Sequence, residues 1–331
     1  MGISNGKSHL KVFILQLNAN NSVIKSNIRE KIVSLLDSRS LNFSKSYENK
    51  LIVLPELSYH RYIFDKKQDA QQDDSLLEYF KYISKRYNSY VVSGFIEQNG
   101  EKKYNSSVCI YKDKVIHVHR KKHLYYTDEI WAEEGENFST FKMKLDEGKK
   151  EITCSMGICM DVNPYKFEAP FEKYEYASFC EENSVDLAVL PTAWTHQMSV
   201  LQGESINSDS AIEKRRFLAE LREKHPWLGN PELKEDNEIK NLQYGSSIKN
   251  TGFLFEPSFD TLNYWYSRFK PMHNSANKYL LFCDKTGLEG DVLYAGSSSC
   301  MHLDSGQVEV KGCLTTGVES LLEITLDFKN T

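Results

Sequence analysis

Between residues 9 and 190 the chain alternates apolar runs of strand length with stretches whose apolar residues recur at helical spacing, and several runs end in a polar or reactive side chain. The run at 9–18, H-L-K-V-F-I-L-Q-L-N, predicts a buried strand ending in Gln16 and Asn18. Val23, Ile28, Ile32, Val33, Leu35 and Leu36 then predict a helix. A second β-type run at 51–54 stops at Pro55 and is followed at once by Glu56. The stretch 76–87 predicts an amphipathic helix, and 90–96 a strand broken by Gly94. Residues 104–111 and 115–118 read as paired strands across a Lys-Asp-Lys turn, delivering H-R-K-K-H-L at 119–124. Such alternation belongs to α/β folds, where chemistry gathers beyond the carboxyl ends of the strands.

The most informative stretch is S-M-G-I-C-M-D-V-N-P-Y-K-F-E-A-P at 155–170. A short strand at 151–154 precedes it, and Gly157 permits a tight turn just before Cys159. A thiol on a bend at a strand end projects from the sheet, with the following backbone N–H groups aimed at the same small volume, as a nucleophile and its oxyanion site require. The competing reading of Cys159 is a buried structural thiol, that of Glu56 a solvated loop acid, and that of Lys121 an ordinary surface cation. Residues 171–183 predict a helix and 185–190 a strand ending in Pro191-Thr-Ala-Trp194, so the loops at Cys159 and Trp194 lie side by side in a βαβ unit. Trp194 serves equally as a pocket wall or as a core aromatic. The loop T-D-E-I-W-A-E-E-G-E-N-F at 127–138 reads as a lid or a surface excursion around Trp131. Polar composition at about 200–260 reads as an insertion with a helix at 212–224, and strands resume at 278–283, 293–298, 307–310 and 318–326.

Composition narrows the function class. Charged residues are 26% and hydrophobic residues 40% of the 331, as in ordinary globular proteins. A net charge of −5 without a basic face argues against nucleic acid or anionic lipid as a partner. No apolar run reaches the ~20 residues of a membrane helix, the N-terminus lacks the order of a secretion signal, and Gly6 stands where a myristoylation motif needs Ser or Thr. The seven cysteines are dispersed without C-x-x-C spacing, which fits a reducing compartment and indicates no metal site. The expected location is the cytoplasm, with the nucleus as an alternative.

Taken in order, L-I-V-L-P-E with Glu56, H-R-K-K-H-L with Lys121 and S-M-G-I-C-M-D with Cys159 resemble the nitrilase (carbon–nitrogen hydrolase) superfamily, whose signature is a Glu–Lys–Cys triad in that order. Y-N-S at 104–106, L-P-T-A-W at 190–194 and Y-A-G-S-S at 294–298 fit as well. The run G-I-C-M-D-V-N-P-Y-K-F-E-A-P-F, S-F-C at 178–180 and N-Y-W at 263–265 with Arg268 and Phe269 resemble the branch of eukaryotic protein N-terminal asparagine/glutamine amidases. The resemblance implies an α/β fold, a nitrilase-like four-layer α-β-β-α sandwich, as one domain over 1–331 with the insertion at 200–260. It implies deamidation of N-terminal Asn and Gln of proteins or peptides in the N-degron pathway, no metal and no organic cofactor, and a form acting as a single subunit.

The roles implied are Glu56 as general base, Cys159 as nucleophile, and Lys121 with the Met160 backbone N–H as oxyanion holders. Relatives carry a further glutamate in the loop after the lysine; ungapped matching gives Asp128 and a one-residue slip gives Glu129, which is favoured. Asp128, Glu129 and Trp194 are the candidates by position for the substrate pocket. The alternatives are a nitrilase-fold amidase for a small metabolite, of omega-amidase or carbamoylase type, a Cys–His hydrolase using His117, His119 or His123, and a catalytically silent scaffold of the same fold.

Overall fold

The computed structural model describes residues 7–20, 25–38, 49–64, 66–201, 205, 207–230 and 252–329. The first half runs β1 (Lys7–Asn18), α1 (Lys25–Asp37), β2 (Asn49–Val53), α2 (Ser75–Tyr87), β3 (Tyr90–Asn99), β4 (Lys102–Tyr111), β5 (Lys114–Arg120), β6 (Thr140–Leu145) and β7 (Lys150–Met156). The second runs α3 (Glu175–Glu182), β8 (Leu187–Pro191), α4 (Asp209–Lys224), α5 (Phe259–Arg268), β9 (Lys278–Cys283), β10 (Lys285–Thr286), β11 (Leu288–Glu289), β12 (Val292–Leu293), β13 (Ser299–Asp304), β14 (Gln307–Cys313) and β15 (Ser320–Lys329).

Two mixed sheets result. One has the order β10-β1-β2-β3-β4-β5 with β15 also paired to β1; the other has the order β14-β13-β9-β8-β7-β6. Both central triplets, β1-β2-β3 and β7-β8-β9, are parallel. Their near-continuous apolar runs follow from burial on both faces. On β1, Val12 and Ile14 point between the sheets and meet Met143, Ile152 and Leu281 of the other sheet. Phe13 and Leu15 point outward beneath Ile28 and Ile32 of α1 and Phe80 and Ile83 of α2. On the far side, Leu190, Leu280 and Phe282 lie beneath Tyr176 of α3 and Trp265 of α5. The layers are therefore α-β-β-α, and Trp265 stacks on Phe282 at 4.2 Å with the rings 2° apart.

Several elements differ from their sequence reading. Gly94 does not break β3, which continues to Asn99. Instead a Cβ at Gly94 would sit 2.5 Å from the Leu57 nitrogen and 2.8 Å from Glu56 Cα, so the glycine admits the backbone that carries Glu56. The expected helix at 171–183 is only α3, because Tyr174 adopts φ 45° and separates it from a 3-10 turn at Phe171–Lys173. The expected strand at 293–298 is strand only at its first residue; Gly296 and Ser297 take positive φ and the chain re-enters the sheet at β13. Strand β6 and helix α5 have no counterpart in the sequence reading. Trp131 is no lid tip: it is 1% exposed and packs edge-on against Phe64 at 5.5 Å. Of the polar insertion, α4 is as expected to within a turn at its start, and residues 231–251 lie outside the described residues. Among the described residues, no helix is long and apolar enough to cross a membrane.

Candidate active site

Five strand ends meet in one place: Glu56 follows β2, Lys121 follows β5, Cys159 follows β7, Trp194 follows β8 and Asp284 follows β9. The two sheets are tied here by the Glu56 N–H, which donates to the Thr192 carbonyl at 3.4 Å.

Glu56, Lys121 and Asp128 form a fully buried cluster. Lys121 Nζ donates to Glu56 Oε1 at 2.7 Å and to Asp128 Oδ2 at 2.5 Å. Asn105 Nδ2 donates to the same Glu56 oxygen at 2.7 Å and to Asp128 Oδ1 at 3.0 Å, which fixes both carboxylates in orientation. The other glutamate oxygen, Oε2, is buried and has no hydrogen-bond partner among the described residues. Burial raises the Glu56 carboxyl above its ordinary value, Lys121 pulls it down and Asp128 pushes it up again, leaving it raised. Burial lowers the Lys121 pKa, but the Asp128 and Glu56 charges outweigh it and hold the ammonium charged at neutral pH. Here the register favouring Glu129 is corrected: Asp128 lies against Lys121, while the Glu129 side chain is exposed. A helical turn explains the difference, since the Trp131 N–H returns to the Asp128 carbonyl and turns the neighbouring side chain to solvent.

Cys159 stands at φ 40°, in the left-handed region, on the first residue of a 3-10 turn. The bend falls at the thiol itself. Gly157 is needed for space, because a Cβ there would meet the Tyr176 ring at 2.9 Å. A non-glycine residue held at positive φ stores strain that its surroundings must overcome. Those surroundings centre on Asp161, which sequence reading passed over. Its buried carboxylate accepts the Ile158 N–H at 2.8 Å from the cysteine loop, and the Lys122 and His123 N–H groups at 2.9 and 2.8 Å from the lysine loop. His119 Nε2 closes the set at 2.8 Å. One carboxylate thereby registers Cys159 against Lys121. Burial opposes its charge, yet His119, His123 and the N–H donors outweigh burial and lower its pKa.

Burial pushes the Cys159 thiol well up, the Glu56 charge adds to this, and Lys121 with the Ala193 backbone N–H act against it. The resting sulfur is therefore held as a thiol. Asp284, also fully buried, brackets Ala193: its Oδ1 accepts Thr192 Oγ1 at 2.9 Å and the Trp194 N–H at 2.7 Å.

Above the sulfur lies a cavity of about 470 Å³ lined by Cys159, Met160, Trp194 and the rings of Tyr62, Tyr125, Phe167 and Tyr264, with Asn163, Gln197 and Asp260 among its polar groups. Trp194 stands partly exposed, edge-on to Trp265 at 5.8 Å. His117, His119 and His123 do not line the cavity; His119 and His123 are spent on Asp161 and the Asn163 carbonyl. Among the described residues, no group of three or more His, Cys, Asp or Glu side chains is arranged to hold a metal ion.

Residues 14–169 match the model of the carbon–nitrogen hydrolases. A protein N-terminal amidase of Saccharomyces cerevisiae is 30% identical over 293 residues, which is 79% of this chain and 63% of that protein, so the chain spans under two thirds of that relative's length. A protein N-terminal amidase of Schizosaccharomyces pombe is 27% identical over 301 residues, covering 87% of this chain and 90% of that one. An N-terminal amidase solved with an Asn-Glu-Ala peptide has the same fold, with a TM-score of 0.75 at 23% identity over 97% of this chain and 99% of that chain. The order of strand ends, the layered sheets and these matches agree: residues 14–169 carry a carbon–nitrogen hydrolase domain, and the chain shares the fold of the solved N-terminal amidase.

Proposed function

We propose that this protein is an amidohydrolase that deamidates N-terminal Asn and Gln of polypeptides to Asp and Glu, releasing ammonia through a thioester on Cys159. The observation that carries the chemistry is the division of labour on Glu56: one oxygen is held by Lys121 and Asn105, and the other is buried and unpartnered. A carboxylate in that state is a base waiting for a proton.

Glu56 Oε2 takes the thiol proton as Cys159 Sγ bonds to the side-chain amide carbon. The carbonyl becomes an oxyanion, stabilised by the Lys121 ammonium and the Met160 backbone N–H; one such donor is worth about 3 kcal/mol in comparable sites. Glu56 passes the proton to the departing nitrogen, ammonia leaves, and a thioester remains. Water then gives its proton to Glu56 and attacks the thioester, and the proton returns to sulfur as the acid is released. Atoms balance as amide plus water giving acid plus ammonia. No step uses a metal or organic cofactor, because the charge that develops is met by Lys121 and the proton by Glu56. Asp128 holds Lys121 charged and in place, and Glu129 takes no part.

The choice of substrate rests on the two amidase relatives and on an open-mouthed cavity beside the thiol that leaves room for a chain beyond the first residue. On this reading the protein acts as a single chain in the cytoplasm, on polypeptides entering the N-degron pathway. The test is ammonia release from matched peptides beginning with Asn, with Gln, and with Asn whose α-amine is acetylated. Release from the first two alone is expected; activity on small ω-amides alone would replace this substrate class with a small metabolite.

A further inference from the structure

A substrate read by its free N-terminus carries an ammonium group into the site. In Asn only two carbons separate that nitrogen from the carbonyl attacked by Cys159, and in Gln three. The cation must therefore sit within the same cavity of about 470 Å³ as the sulfur, and a cation withdrawn from water needs a carboxylate partner. The buried carboxylates beneath the cavity are engaged. Asp128 gives one oxygen to Asn105 and the other to Lys121 and the Tyr125 N–H. Glu56 is the base, and Asp284 secures the loop at Thr192 and Trp194. Glu129 and Asp260 are both exposed at the surface, but Glu129 does not line the cavity, whereas Asp260 does.

Among the described residues lining the cavity, Asp260 alone carries a formal charge in the resting site. It lies in the first turn of α5, next to Thr261, which also lines the cavity, and its charge acts on His196. Asp260 forms no ion pair among the described residues, so its carboxylate is free to take one. We propose that the Asp260 carboxylate binds the α-ammonium group of the substrate's first residue and so makes the site specific for free N-termini. The proposal rests on the N-terminal amidase reading and names the residue that enforces it.

The experiment compares the wild-type protein, D260N and D260E on an Asn-starting peptide and on its α-N-acetylated counterpart. A lost charge-assisted contact corresponds to a KM about tenfold higher for the free peptide in D260N, with kcat within about twofold because the reacting atoms are untouched. D260E is expected to recover part of the loss. Wild-type KM should also climb as pH rises past about 8, where the α-amine loses its charge, and in D260N this climb should vanish, a change that a merely structural role for Asp260 would not produce. Equal KM values and equal pH profiles in wild type and D260N, with the wild type active on the free peptide, would overturn the assignment of Asp260 and leave the amidase reading standing. A wild-type protein inactive on all N-terminal Asn and Gln peptides would overturn both.

Discussion

At the scale of single residues, the site depends on two carboxylates that are buried with opposite consequences. Glu56 is raised because desolvation outweighs its single shared ion pair, and on the proposed mechanism it must be ionised to accept the thiol proton. Activity should therefore rise with pH through a value above the ordinary 4.5 of a glutamate, and kcat/KM measured against pH should show its acid limb there. Glu56→Gln keeps the shape and loses the base, and should lower kcat by at least about a hundredfold. Asp161 is lowered, so its contribution to stability is present above its unfolded value near 3.8 and is lost as pH falls through the lower folded value. Asp161→Asn should cost about 3 kcal/mol at neutral pH, measured by urea unfolding, with the gap to wild type closing below about pH 4. Asp161 could have been singled out from G-I-C-M-D alone: an acid two residues past a nucleophile on a bend is well placed to accept the loop's N–H groups. Asp128 against Glu129 was beyond sequence reading, since only the turn at Tyr125–Trp131 decides which side chain faces inward.

At the scale of elements, strands were legible where burial on both faces left an uninterrupted apolar run, as in β1, β2 and β8. Strand β6, T-F-K-M-K-L, alternates buried Phe141, Met143 and Leu145 with exposed lysines, a clear period of two that its charge obscured. Helix α5 sits in a polar stretch, yet Thr261, Leu262, Trp265 and Arg268 form one buried face at helical spacing and Ser258 caps its start. The glycines at the site have reasons that only the packing reveals. At Gly135 an added Cβ would lie 2.1 Å from the Arg120 carbonyl oxygen, directly behind Lys121, whose own carbonyl accepts the Gly135 N–H at 2.8 Å. Gly135→Ala should destabilise the protein by about 1–3 kcal/mol through overpacking against backbone. It should also lower kcat by displacing Lys121, whereas the same change at Gly100, where nothing lies within 4 Å but φ is +63°, should affect stability modestly and kcat not at all.

At the scale of the whole molecule, the two sheets do more than enclose a core. Glu56 and Lys121 come from one sheet and Cys159 and Ala193 from the other, so the carboxylate and the thiol are brought together only when the sandwich closes. On the proposed mechanism, the inter-sheet layer of Val12, Ile14, Met143, Ile152 and Leu281 is thus part of the catalytic geometry. The hydrogen bonds from Glu56 N to Thr192 O and from both loops to the Asp161 carboxylate set the register at the seam. The α/β class and the strand-end placement of the triad followed from the alternation of apolar runs, while the pairing of two sheets face to face entered through family resemblance. No local pattern in the sequence reports which sheet a strand joins.

The most direct measurement is acid-quenched mass spectrometry of the protein mixed with an Asn-starting peptide. A covalent adduct equal to the peptide less ammonia, mapped to Cys159, present in the wild type and absent in Cys159→Ala with its thermal stability unchanged, is the expected result. Ammonia release that persists in Cys159→Ala would contradict the thioester mechanism, as would an adduct mapped to another cysteine.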